Sequence, residues 1–150
     1  MKILIKNRQR HRPLNQAKIR RAARNILSLS EQTTAELSIL FVGDAKMLQL
    51  NNDYRGIKKS TDVLSFEAHI PLDNSEAGNI LGDVVINVAR AESQAETSGT
   101  GFYDEIYRLL IHGILHLSGY DHENSRYRAG KMRKKEEEIF DAVKEMDSKL

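Results

Sequence analysis

The chain has 150 residues, a formal net charge of +2 and no cysteine. That length suits a single domain over residues 1–150, which at this size buries roughly 70% of its unfolded surface and needs no staples; the missing thiols exclude a disulfide framework and thiolate metal sites. No apolar run approaches the roughly 18 residues of a membrane span and no secretory h-region opens the chain, so a soluble cytoplasmic protein without a membrane partner is expected.

In chain order, MKILIKN alternates Ile3 and Ile5 against Lys2, Leu4 and Lys6, the pattern of a short half-buried strand. After Pro13, Ile19, Ala22, Ala23 and Ile26 follow helical spacing and leave arginines outward. No acidic residue precedes Glu31, whereas Lys2, Lys6, Arg8, Arg10, Arg12, Lys18, Arg20, Arg21 and Arg24 do, a one-sided end that favours polyanions or serves as a solvated helix face. ELSILFVG reads as a strand buried on both faces. Asp44 is placed to cap a helix with Met47, Leu50 and Tyr54 inward and Gly56 at its end.

DVLSFEAHI reads as a strand with Leu64, Phe66, Ala68 and Ile70 on one face, followed by a polar loop from Pro71 to Gly78 and a fourth strand, ILGDVVIN. Asn87 caps a helix reaching about Ser98, closed by Gly99. From Tyr103 a helix carries Ile106, Leu110, Ile114 and Leu117 on one stripe, and a last amphipathic helix after Ser125 turns Met132, Ile139, Phe140 and Val143 inward. Its run Lys131 to Lys135 followed by Glu136-Glu137-Glu138 reads as charge pairing within the helix rather than as a binding surface. The expected fold class is α+β, a small mixed four-stranded sheet packed with about five helices.

HGILHLSGYDH, residues 112 to 122, has the spacing H-x-x-x-H-x-x-G-x-x-H at which metzincin proteases hold zinc. On a helix, His112 and His116 lie on one face, and Gly119 permits a left-handed stop after which His122 can return to the same point. Three neutral imidazoles leave one tetrahedral position open, a zincin-like catalytic arrangement suited to Zn2+, or to another divalent ion such as Ni2+. Gly113 stands where those proteases carry the glutamate that activates water. It falls on the apolar stripe, where a glycine allows close packing, and its presence favours phosphoryl over acyl chemistry because a metal and a cationic side chain can serve a phosphodiester without that carboxylate.

The same stretch resembles, without a departure, the H-G-x-L-H-L-x-G-Y-D-H signature of the YbeY family. LNNDYRGIKKSTDVLSF (Leu50 to Phe66) and LGDVVIN resemble two further blocks of that family, in the same order. The resemblance covers nearly the whole chain. It implies a single-strand-specific, metal-dependent endoribonuclease acting in ribosomal RNA maturation, notably at the 3′ end of the small-subunit RNA, and in ribosome quality control. Its partners would be single-stranded or ribosomal RNA and the ribosome or its small-subunit proteins. The metal ligands implied are His112, His116 and His122, and the family's functional arginine falls on Arg55, where a guanidinium suits bidentate phosphate binding. Ser60 and Glu67 depart from prolines common in the family.

Asp121 and Glu123 flank the third histidine and could hold an imidazole N–H or accept a proton, although Asp121 could equally cap backbone amides. The basic N-terminal region, including Arg20, Arg21 and Arg24, would supply salt-sensitive affinity for RNA. Glu105 reads as a solvated partner of Arg108, the Tyr54 and Phe66 rings as core, and His11 and His69 as outside the cluster. Two alternatives stay open: a zincin-like metalloprotease, and a non-catalytic ribosome-assembly factor whose metal ties the C-terminal helices together.

Overall fold

The computed structural model describes residues 1–33, 35–67, 80–120 and 125–149. Among these residues four strands and five helices follow in the order β1 (Lys2–Arg8), α1 (Gln16–Leu29), β2 (Glu36–Val42), α2 (Asp44–Arg55), β3 (Val63–Phe66), β4 (Ile80–Asn87), α3 (Val88–Ser98), α4 (Phe102–Leu117) and α5 (Arg126–Ser148). The sheet order is β1-β2-β4-β3. β1, β2 and β4 are parallel neighbours, and the short β3 joins β4 antiparallel at the edge. The expected α+β class with a mixed four-stranded sheet and five helices is therefore what the chain forms.

The sheet separates two cores. On one face Ile3, Leu37, Ile39, Phe41, Val84 and Ile86 meet the buried stripes of α1, α3, α4 and α5. On the other, Leu40, Val42, Leu64 and Val85 meet Met47 and Leu50 of α2. Alternate residues of β2 and β4 point to opposite faces, so both strands bury almost every side chain, as a central parallel strand must. Ala68, Ile70 and the loop expected from Pro71 to Gly78 lie outside the described residues. No helix among the described residues is long and apolar enough to cross a membrane.

Two expectations for α2 need correction. The cap position is Gly43, without a side-chain cap bond, and Asp44 is the first helical residue. The Asp44 carboxylate instead accepts from the Ser60 hydroxyl at 2.7 Å and from the Asn87 side-chain amide at 2.9 Å. Fully buried Asn87 also caps α3 through Arg90 N–H and donates to the Thr61 carbonyl. This one amide thus joins the starts of α2 and α3 to the turn before β3. Tyr54 is not core: it is 49% exposed, because the last turn of α2 borders an open cleft rather than the sheet, and its ring meets that of Phe66 edge-on, with centroids 5.4 Å apart.

Candidate active site

α4 follows its N-cap residue Gly101 and has Asp104 and Glu105 in its first turn, where carboxylates suit the positive end of the helix dipole. Ile106, Leu110 and Ile114 are fully buried and press the helix onto the sheet. Gly113 sets how closely: a Cβ there would lie 2.8 Å from Val84 Cγ1 and 3.0 Å from Cγ2 on β4. The packing role expected of this glycine is therefore seen in the contact with β4.

One turn apart on the adjoining face, His112 and His116 stand with ring centroids 4.7 Å apart and their planes inclined at 70°. His112 Nδ1 lies 3.3 Å from Glu136 Oε2 of α5. A carboxylate on Nδ1 favours the tautomer whose Nε2 carries the lone pair that can ligate a metal. The helix then ends in a Schellman turn, with Gly119 N–H on the His116 carbonyl, Tyr120 N–H on the Leu115 carbonyl and Gly119 at φ +99°. The expected left-handed glycine is in place, and Ser118 occupies the C-cap before it. His122, Asp121 and Glu123 fall just beyond, outside the described residues. Among the described residues alone, no group of three or more potential ligands assembles.

The two histidines line an open cleft of about 690 Å3. Its floor and walls are α4 at His112, Gly113 and His116, the edge strand β3 with the residues around it, the end of α2 at Tyr54 and Arg55, and the Gly119-Tyr120 turn. The arginine named from sequence therefore shares one cavity with two of the three named histidines. Gly56, in the left-handed conformation at φ +69°, ends α2 just after Arg55. The Arg55 side chain is exposed and makes no ion pair among the described residues. Asn51 steadies the following loop by donating to the Lys59 carbonyl at 2.8 Å. Asp62 and Glu67 also border the cleft, and Asp62 is held by Val63 N–H at 2.8 Å and by the Gln94 amide at 3.3 Å.

The other residues singled out from sequence lie elsewhere. The Arg20 guanidinium donates to the Ile3 carbonyl, and Arg21 reaches Asp147 at 3.4 Å, so both tie α1 to its neighbours. Arg24 is exposed on α1, and no residue of that helix borders the cleft. Glu105 is partly buried rather than solvated, and that burial raises its carboxyl pKa above the ordinary value, against the nearby Arg108 charge. Arg108 itself pairs with Glu137 at 3.4 Å and stacks over Phe140. His11 pairs with Glu92, far from the histidine pair in the chain.

Sequence reasoning missed Glu136 by assigning it to pairing within α5. A signal was available: Met132, Ile139 and Val143 are the buried stripe of α5, and Glu136 lies on that stripe at the helical interval. An acidic residue on an inward stripe needs a partner, and His112 is that partner.

Comparison with known proteins bears on the fold and the family. The family model described as Endoribonuclease YbeY matches residues 4–144. A protein of Thermodesulfovibrio yellowstonii named Endoribonuclease YbeY is 48% identical over 109 residues, covering 72% of this chain and 67% of its own. A Geobacter sulfurreducens protein of the same name is 38% identical over 141 residues, covering 93% and 94%. Among solved structures, TM1509 from Thermotoga maritima, determined in solution, superposes with a TM-score of 0.66 over 98% of this chain and 93% of that one, at 23% identity. That likeness speaks for the fold.

Proposed function

The chain belongs to the YbeY endoribonuclease family, and from that premise we propose that it is a single-strand-specific, metal-dependent endoribonuclease acting in ribosomal RNA maturation, at the 3′ end of the small-subunit RNA, and in ribosome quality control. On this reading it works in the cytoplasm with ribosomal RNA and small-subunit proteins as partners. The observation that carries the proposal is the meeting of Arg55, His112 and His116 on one open cleft.

His112 and His116, with His122, would hold one Zn2+ or a comparable divalent ion such as Ni2+. The donor chemistry fits: two imidazoles share a helix face, and a carboxylate on Nδ1 of the first orients its other nitrogen. Charge supports the same reading. Among the described residues Asp62 and Glu67 border the cleft together with one guanidinium, that of Arg55, so a further cation beside the histidines would help it to take a phosphodiester. The chemistry such an ion supplies is polarisation of a phosphoryl oxygen and acidification of water.

The chain's own residues do the rest. Arg55 takes the phosphate in its planar fork and neutralises charge that grows during phosphoryl transfer. Glu136 holds the His112 ring in register. The turn before β3, pinned by Asn87, keeps Asp62 at the rim. Asp121 and Glu123, beside the third histidine, are assigned the orientation of its ring or the relay of a proton. Gly113 weighs against the protease alternative, since it stands where H-E-x-x-H proteases carry the glutamate that activates water, and a side chain there would press on Val84.

The test is cleavage of single-stranded RNA, double-stranded RNA and casein by the purified protein, with metal content measured alongside. Wild type should cut only the single strand. His116→Ala should lose metal and activity together while staying folded, and Arg55→Ala should keep metal and lose activity. RNA cutting by a folded, metal-free His116→Ala protein would sink the mechanism. A processing defect that tracks lost thermal stability alone would favour the assembly-factor alternative.

A further inference from the structure

The amino-terminal half of α5 carries Arg126, Arg128, Lys131, Arg133, Lys134 and Lys135 without an acidic residue among them. This placement works against the helix. No carboxylate occupies the first turn of α5, and cations gathered at that end oppose the positive pole of the helix dipole. Pairing within the helix does not relieve it. Glu136 and Glu137 turn to His112 and Arg108 on α4, and among the described residues none of the six cations makes an ion pair. A bound polyanion would remove the repulsion.

The position of these charges gives them a ligand. A second hollow, of about 410 Å3, is bordered by Tyr127, Arg128 and Lys131 together with Ser118, Gly119 and Tyr120. Gly119 and Tyr120 also border the histidine cleft, so the two hollows share one turn of chain as a wall. Tyr127 is 77% exposed, the most exposed large hydrophobic side chain among the described residues. An exposed ring that lines one hollow with two cations, next to the histidine cleft, is an arrangement on which a base stacks while the backbone follows the charges.

We propose that Tyr127, Arg128 and Lys131 form an extension of the active-site cleft that takes the single strand on one side of the cleaved bond, Tyr127 stacking on a base and the two cations facing phosphates. The proposal rests on the ribonuclease reading above and adds to it a track for RNA that leaves the histidines along α5.

Fluorescence anisotropy with uncleavable 2′-O-methyl single strands of about 4 and 12 nucleotides tests it, on the whole chain and across a salt series. Wild type should bind the longer strand at least about tenfold more tightly. Tyr127→Ala should weaken the longer strand roughly 5- to 150-fold, the range of one lost stacking contact. The Arg128→Gln/Lys131→Gln double variant should reduce the salt slope for that strand by about 1.4, two phosphate contacts on a single strand. All three side chains are exposed, so the fold is retained, and Lys149→Gln at the far end of α5 controls for loss of charge alone. Wild-type affinity and salt slope in both α5 variants, or an equal loss in Lys149→Gln, would overturn the track while leaving cleavage at the histidines intact. Failure of the wild type to bind or cut single-stranded RNA would overturn both readings.

Discussion

His112 on α4 and Glu136 on α5 meet across the interface of the two helices, imidazole Nδ1 to carboxylate Oε2 at 3.3 Å. Both side chains are only partly exposed, so the contact is shielded from solvent more than a surface pair would be. It links the packing of the last helix to the orientation of a ring in the cleft. Removing such a partner typically costs about 10- to 100-fold in metal affinity. Glu136→Gln should therefore weaken zinc binding by about that factor in a chelator-competition titration, with the apo protein still folded. Affinity equal to wild type would show that the ring needs no carboxylate.

Gly113 lies against Val84, and the steric cost of filling it can be measured directly. Gly113→Ala should destabilise the chain by roughly 1–3 kcal/mol, the usual cost of overpacking a well-packed core. Combined with Val84→Ala, the loss should be smaller than the sum of the two single losses, because the methyl groups it meets are gone. Chemical denaturation of the three variants decides this. Strict additivity would place the effect elsewhere.

Arg55 ends its helix exposed, so its replacement should spare the fold and remove one charge-assisted contact to phosphate. A loss of about 10- to 100-fold in single-strand cleavage is expected for Arg55→Ala. Arg55→Lys should recover only part of it, since an ammonium lacks the planar fork. Full recovery by lysine would reduce the role to that of a point charge.

Two carboxyls should shift stability with pH in opposite directions. Hydrogen bonds from Ser60 and Asn87 hold the Asp44 carboxyl below its ordinary 3.8. Its ionised form thus stabilises the fold above that value, and the contribution is lost as pH falls through the lowered folded-state pKa. Asp44→Ala should lower Tm at pH 7 and have little effect near pH 2. Burial instead raises the Glu105 carboxyl above its ordinary 4.5, so stability falls as pH rises from there through the folded-state value. Glu105→Gln should raise Tm at pH 7 and leave it unchanged near pH 3. Thermal melts at the stated pH values separate the two, and parallel pH responses would contradict both assignments.

Periodicity carried most of the fold. Ile3 and Ile5, the continuous run from Leu37 to Val42, and the helical stripes of α1, α4 and α5 sort residues by burial on one element at a time, a property readable within a few residues of sequence. The glycines at 56, 99 and 119 end helices in the left-handed conformation as their positions imply. Tyr54 and Asp44 misled for the same reason as each other. Their surroundings are set by what lies beneath α2, a cleft at one end and the Ser60–Asn87 cluster at the other, and neither is local in sequence.

By itself, the sequence determined the helix face shared by His112 and His116, the glycine between them, and the family to which the chain belongs. These depend on spacing within one turn of helix or on short blocks read as text. Tertiary structure alone decided that Arg55 shares a cleft with those histidines, that Gly113 rests on Val84, that Glu136 faces His112 and that the basic start of α5 lines a hollow sharing Gly119 and Tyr120 with that cleft. Each of these joins residues far apart in the chain, and such contacts are set by how the helices pack on the sheet, which no local pattern encodes.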